Sequence, residues 1–424
     1  MKNIAVIGGG ISGISVARML QSKHTVTVFE RESSIGGLIK CERVDGNLYH
    51  KVGGHVFNSK NPDVTRWFWQ HFDQETEFVK ARRKAGILFG DFTVDYPIEN
   101  HLYQLPEEWG RQVLQELVTI NRQEKKAPFE YAHFEEFLRA NFGQTLYRLY
   151  FEPYNKKIWR FDLNKVAMDW LEGKLPMPEL NEILMANIFR AEESEMVHST
   201  FFYAKNGGSQ FIIDRLAQGL QIETNFNVTQ IRKEQAKFVI NEYAALFDCV
   251  IFCGDVRQLS TMYVSSVPGL EEAFASVAPL RSNGTSNVFC ECDPSPWSWL
   301  YLPDPTLKAH RIIYTGNLSE TNNAGTERLT CVVEFSGKHS NEEMQRELKR
   351  LPGNLHPLAY NYEPNSYVIQ EKGTRQAIES VKSTCEAAGL FLLGRFAEWE
   401  YYNMDKAMEA AMDLAEAHFG VNHI

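Results

Sequence analysis

No stretch of this sequence is apolar for the roughly 18 residues a membrane-spanning helix needs, so no such helix is expected. Cysteine is sparse: seven in 424 residues, with no C-x-x-C pair. That argues against a metal site and against a disulfide framework, and points to a reducing cytoplasm with mostly buried thiols. Cys290 and Cys292 are two apart, so on a strand they face the same way. Positive charge is not in excess. The 44 basic and 54 acidic side chains give a net charge of −10, which argues against nucleic acid as a partner. It leaves room for a small anionic substrate, which a few local cations can serve. There are no repeats and no low-complexity linker. The first apolar strand begins at residue 3, which leaves no room for a signal peptide, so a cytoplasmic location is expected.

What is present begins at once. Ile4 to Ile7 reads as a short strand running into Gly8, Gly10 and Gly13, then a helical stretch, then Thr-Val-Thr-Val-Phe-Glu ending at Glu30. Gly8 suits a tight turn, Gly10 leaves room for a pyrophosphate, and Gly13 lets helix and strand pack closely. The helix N-terminus offers free N–H groups to phosphates. Glu30 is placed to accept hydrogen bonds from ribose hydroxyls. The alternative, a glycine-rich turn with no ligand, is weakened because strand, glycines, helix, strand and acid all come in order. Gly36 and Gly37 then follow Arg31 closely. That arrangement resembles the extended FAD motif of glutathione-reductase and amine-oxidase flavoproteins.

The whole chain has 44% hydrophobic and 23% charged residues and enough length for two or three packed units. Helical spacing marks Trp109, Val113, Leu117 and Ile120, and again Phe134, Phe137 and Leu138, with Pro176 and Pro178 breaking the region. Phe211 to Leu220 reads as a helix, Val228 to Ile231 and Cys249 to Phe252 as strands. Short alternating runs between 285 and 335 predict an antiparallel sheet. Leu390 to Leu393 reads as a strand, and Met404 to Ala415 as a helix capped by Asn403. The expected fold is α/β: a Rossmann-like FAD-binding domain, an inserted helical domain and an antiparallel substrate domain. The first is expected to be discontinuous, from 1–90, 200–262 and 385–424. The second covers 100–198, and the third 263–384 with 85–99.

Several further segments carry chemistry. Gly53-Gly54-His55 would bring backbone and an imidazole close to a flat ligand, or would be a turn with a structural histidine. Val94-Asp95-Tyr96-Pro97 and Pro153-Tyr154-Asn155 with Trp159 mix aromatic and polar groups around proline, which suits stacking on a sugar or base, although aromatic spacing alone more often means core. Lys174 and Arg311 are candidate cations for a diphosphate. The run Gly394 to Met404 joins a strand to the last helix, where a doubly wound domain holds its ligand.

Taken in order along the chain, these segments resemble the UDP-galactopyranose mutase family. Gly8–Gly13, Gly36-Gly37 and Gly53-Gly54-His55 look like its cofactor segments, and Gly394–Met404 like its C-terminal flavin loop. Val94–Pro97, Pro153–Asn155 with Trp159, Trp299–Pro303 and His310-Arg311 look like its substrate segments. The resemblance implies an isomerase that interconverts UDP-galactopyranose and UDP-galactofuranose without net redox change, through an adduct on N5 of reduced flavin. It implies a role in cell-surface polysaccharide synthesis. It implies His55, Arg311 and Lys174 as catalytic residues. It implies cofactor contacts from Gly8, Gly10, Ile11, Ser12, Gly13, Glu30, Arg31, Gly36, Gly37, Leu38, His55, Val228, Gly394, Arg395, Tyr402, Asn403 and Met404. It implies substrate contacts from Tyr96, Asn155, Trp159, Lys174, Tyr301, Arg311, Tyr362 and Tyr401. Lys174 stands where the family carries a second arginine, so it keeps the charge and loses the bidentate fork. NAD(P)H is the external reductant to be considered, and a homo-oligomer is left open. The cofactor segments fit an amine-oxidase or protoporphyrinogen-oxidase type of oxidoreductase equally well. The tyrosine and arginine set favours a polar anionic substrate instead.

Overall fold

The computed structural model describes residues 1–122, 126–127, 130–168, 171, 179–190, 199–264, 269–325 and 327–421. Lys174, Pro176 and Pro178 lie outside the described residues. A five-stranded parallel sheet runs in the order Leu390–Leu392, Cys249–Phe252, Asn3–Ile7, Thr25–Phe29, Gln221–Glu223. Its central strands are nearly continuous apolar runs because both faces are covered. Helix Ile11–Leu20 and helix Met404–Phe419 pack together on one face, over a core that includes Ile4, Val6, Met408 and Ala411. The other face packs on Phe238, Phe247, Val381 and Trp399. The sheet thus draws its strands from the beginning, the middle and the end of the chain.

A second sheet has seven strands, in the order His356–Val368, Ser282–Cys292, Leu329–Ser336, Ala309–Ile313, Trp299–Tyr301, Ala85–Phe89, Phe92–Asp95. Every pairing is antiparallel except that of Trp299–Tyr301 with Ala85–Phe89. Its register sets one polar row across five strands: Asn361, Asn287, Glu334, Arg311 and Tyr301. Residues directly opposite share a face, so these five side chains are gathered by pairing alone. Helices Glu107–Ile120, Phe134–Leu146, Glu152–Trp159 and Leu180–Phe189 add a layer built on aromatic packing around Phe137, Phe142, Tyr150 and Trp159. Among the described residues no helix is long and apolar enough to cross a membrane.

Three local readings are corrected. Val228 is not in a strand; the strand is Ile231–Glu234, because the Asn241 side chain takes the N–H groups of Thr229 and Gln230. The helix expected from Phe211 spans Gly208–Leu216. Asn403 occupies the N-cap position of the last helix, but its side chain makes no capping hydrogen bond there. The hairpin Cys41–Val44 with Asn47–His50 was not anticipated. Its turn residues Asp45 and Gly46 both have positive φ, 49° and 83°, which an Asp-Gly pair accommodates well.

Candidate functional site

The glycine turn is held by its own neighbours. Gly8 adopts φ +112° and its N–H reaches the Phe29 carbonyl at 2.8 Å. The buried Glu30 carboxylate accepts from the N–H of Gly9 at 2.7 Å and of Glu32 at 2.9 Å. So Glu30 fastens the turn to the second strand while it also lines the cavity. The Gly36 N–H donates to the Gly9 carbonyl at 2.9 Å, which clasps the second glycine pair onto the first. Helix Ile11–Leu20 then begins with Gly10 at its N-cap and no side chain over its end. A Cβ built on Gly10 meets nothing closer than Gly37 Cα at 3.9 Å. Bare backbone, open space and a helix N-terminus together suit a pyrophosphate.

These residues line one cavity of about 690 Å³. Of the expected cofactor residues it includes Gly8, Gly10, Ile11, Ser12, Gly13, Glu30, Arg31, Gly37, Leu38, His55, Val228, Arg395, Tyr402, Asn403 and Met404. Gly36 and Gly394 are not in its wall. Gly36 acts through the Gly9 bond, and Gly394 donates its N–H to Glu398 at 2.8 Å. Of the expected substrate residues, Tyr301, Arg311, Tyr362 and Tyr401 line the same cavity.

Tyr96, Asn155 and Trp159 stand behind the wall. Tyr96 packs on Tyr301 with centroids 5.2 Å apart. Trp159 meets Tyr367 and Tyr401 edge-on and donates to Asn155 at 3.3 Å. Asn155 in turn donates to the Phe151 carbonyl. They shape the tyrosines that face the cavity.

The turn at Gly53, with φ +67°, is fixed from two sides. Its N–H donates to Glu334 Oε1 at 2.9 Å. The His55 N–H reaches His50 Nδ1 at 3.4 Å, and His50 Nε2 meets the Tyr203 hydroxyl at 2.8 Å. His55 Nε2 is buried with no hydrogen-bond partner among the described residues, although His55 lines the cavity. A buried ring nitrogen of this kind calls for a ligand group. With the cradle at Gly10, it makes the residues present a good fit to FAD.

Burial pushes the His50 imidazole down to about 4. Burial first, then the nearby His50 and Arg395, push His55 down to about 3. Both are therefore neutral at pH 7, whereas an unfolded histidine titrates near pH 6.5. Below that pH the unfolded chain binds more protons than the folded one. Stability is accordingly complete above about pH 6.5 and falls as pH drops toward 4. We expect a loss on the order of 1.4 kcal/mol per pH unit for each histidine across that window. Thermal denaturation between pH 7 and 4.5 measures the slope. His50→Gln should flatten it; an unchanged slope removes His50 as a source.

Arg311 sits opposite Glu334 and donates from Nε to its carboxylate, and from Nη2 to the Tyr367 hydroxyl at 3.2 Å. The pairing slips between Ala309 and Arg311, so His310 is an extra residue in a bulge. The bulge lets His310 also come within 3.6 Å of the same carboxylate. Burial alone would raise the Glu334 carboxyl; Arg311 and His310 overcome this and hold it well below the usual range. Burial pushes the His310 imidazole down, against the opposing pull of Glu334.

Arg83 was missed in the sequence. It donates to the Tyr301 hydroxyl and lies over the rings of Tyr96, Trp299 and Tyr301 at 5.1–5.7 Å. Its run Arg82-Arg83-Lys84 reads as a solvated patch. Glu334 and Tyr367 were missed too, and only Glu334 left a trace: one carboxylate inside the buried run Cys-Val-Val-Glu-Phe-Ser. Arg395 bonds the carbonyls of Ser366 and Tyr402 and stacks on Tyr401, so it braces the C-terminal loop from inside.

A family model described as flavin containing amine oxidoreductase matches residues 11–370. The chain belongs to this family. Among amine oxidoreductase relatives, the chain is similar both to sugar mutases and to protoporphyrinogen oxidases. The chain is 27% identical over 186 residues to dTDP-fucopyranose mutase of Escherichia coli, covering 42% of this chain and 46% of that protein. It is 24% identical over 275 residues to UDP-galactopyranose mutase of Mycoplasma genitalium, covering 61% and 62%. It is also 24% identical over 193 residues to protoporphyrinogen oxidase 1 of Arabidopsis thaliana, covering 42% and 34%. These matches span less than two thirds of each relative's length. In structure, a reduced UDP-galactopyranose mutase superposes with a TM-score of 0.88 at 19% identity, over 100% of this chain and 96% of that one. The amine-oxidase-like α/β fold expected from the sequence is the observed one.

Proposed function

We propose that the chain is a FAD-dependent nucleotide-sugar mutase, an isomerase acting between UDP-galactopyranose and UDP-galactofuranose. One observation carries the reading. The cavity lined by the dinucleotide turn is also lined by Arg83, Arg311, Tyr301, Tyr367 and Tyr401. Cations and hydroxyls beside a flavin site suit a polar anionic substrate, whereas an amine or porphyrinogen site would be more apolar. The sequence similarity to two nucleotide-sugar mutases supports it.

When bound, reduced flavin supplies the nucleophile for the anomeric carbon. The chain's own residues then have three tasks. The guanidinium donors of Arg311 and Arg83 hold the charge of the departing diphosphate. Tyr301, Trp299 and the Tyr96 behind them exclude water and orient the sugar. Arg395 keeps the loop of Tyr401 and Tyr402 in place. Lys174 is proposed as a second diphosphate cation on its sequence position alone. NAD(P)H as external reductant and a cytoplasmic setting belong to the same proposal.

The test is anaerobic incubation of dithionite-reduced protein with UDP-galactofuranose, followed by chromatography for the pyranose. Turnover is expected only with reduced flavin and without stoichiometric consumption of reductant. Equal rates from oxidised and reduced protein rule this chemistry out. NAD(P)H consumed in step with product points to the oxidoreductase reading, which the family description favours.

A further inference from the structure

Glu334 is fully buried, yet it lies at the centre of the polar row and in the wall of the cavity. Its two oxygens face two different things. Oε1 accepts from the N–H of Gly53, on the turn that carries His55. Oε2 pairs with Arg311 Nε. On the mutase reading the turn serves the cofactor and the guanidinium the substrate. A single carboxylate therefore spans both, and it cancels charge on a cation proposed to hold an anion. A surface ion pair would have little effect; here neither carboxylate oxygen is exposed, and solvent screening is weak.

We propose that Glu334 is a positioning residue that fixes the Gly53 turn and Arg311 relative to each other, and whose charge limits how tightly Arg311 holds a nucleoside diphosphate. The inference rests on the mutase reading for the identity of the anion. A permanent partial neutralisation of Arg311 has a use in a reversible reaction. The diphosphate leaves and is taken up again, and a full unpaired charge beside it would hold both substrate and product too long. The same carboxylate, close to the flavin side, disfavours added negative charge there, so it lowers the tendency of the flavin to be reduced.

Two substitutions separate charge from position. Glu334→Gln keeps the shape and an oxygen for the Gly53 N–H but removes the charge. Glu334→Asp keeps the charge but is one methylene too short to serve both partners. UDP titration of the oxidised holoprotein and the flavin midpoint potential are the readouts. Glu334→Gln is expected to bind UDP tighter, by roughly tenfold, the size of one charge-assisted contact released, and to raise the potential. Glu334→Asp is expected to weaken UDP binding and leave the potential near wild type. A merely structural glutamate would move UDP affinity the same way in both variants; that result, or no change in either, overturns the proposal. If Glu334→Gln does not fold, Glu334→Asp decides alone: wild-type UDP affinity in it overturns the proposal. If wild-type protein binds no UDP, the mutase reading fails. The potential then decides on Glu334, raised in the glutamine variant and unchanged in the aspartate variant if the assignment holds.

Discussion

A valine at position 10 should leave a folded protein that has lost its flavin, and an alanine at position 13 should leave little folded protein at all. The two glycines stand three residues apart, Gly10 at the N-cap and Gly13 within the helix that follows, and their surroundings differ. A Cβ on Gly10 meets only Gly37 Cα, at 3.9 Å. Added bulk there can be carried by the chain itself and fills space that the dinucleotide needs. A Cβ on Gly13 lies 2.0 Å from the Gly8 carbonyl oxygen and 3.2 Å from Val6 Cγ1. The first of these is backbone in the tightest part of the turn, so nothing flexible can give way. The cost should exceed the ~1–3 kcal/mol usual for overpacking. Flavin absorbance after purification and thermal denaturation of the two proteins are the measurements. Stoichiometric FAD on Gly10→Val would refute the cofactor assignment. A Gly13→Ala protein as stable as wild type would refute the packing described for the turn.

Arg311→Ala should be costly twice over. Removing the guanidinium leaves Glu334 buried and unpaired, and breaking a buried pair from one side typically costs about 3–5 kcal/mol. It also removes a cation from the proposed diphosphate site. Charge-assisted contacts are worth about 1.5–3 kcal/mol, so UDP affinity should fall roughly tenfold to a hundredfold. Arg311→Lys should recover much of the stability but less of the affinity, since the fork is lost. Denaturant unfolding and UDP titration, run on the same preparations, read the two effects apart. An alanine variant with normal UDP affinity would take Arg311 out of the substrate site while leaving the flavin half of the cavity as described.

What could be read from the sequence was what chemistry puts close together along the chain. Gly8 to Glu30 is one local unit, with each glycine answering a local geometric demand, and the structure keeps it intact. The Asp45-Gly46 turn is equally local, since an Asp-Gly pair accommodates two positive φ angles in a tight hairpin. Arg83 was not legible. Its neighbours are basic, and it is enclosed only because Ala85–Phe89 runs beside Trp299–Tyr301, more than two hundred residues away. Glu334 could be seen as an anomaly in an apolar strand, but its partners depend on register and on the bulge at His310. Trp159 and Asn155 fall near the right place for a different reason: as a pair they support Tyr367 and Tyr401 and do not reach the cavity.

The order of strands in the parallel sheet also bears on how this protein is made. Asn3–Ile7, at the middle of that sheet, waits for Cys249–Phe252 as its neighbour, and that strand waits for Leu390–Leu392. Helix Ile11–Leu20 waits for Met404–Phe419. On a ribosome the glycine turn emerges well before the strands and the helix that complete its sheet, which follow some 240 to 400 residues later. Non-local closure of this kind is slow, and the early apolar strands are exposed to aggregation meanwhile. The cavity is lined both by the glycine turn and by the Arg395–Met404 region, so a flavin bound there would bridge segments far apart in sequence. Bound cofactor would draw the equilibrium toward the native form by mass action.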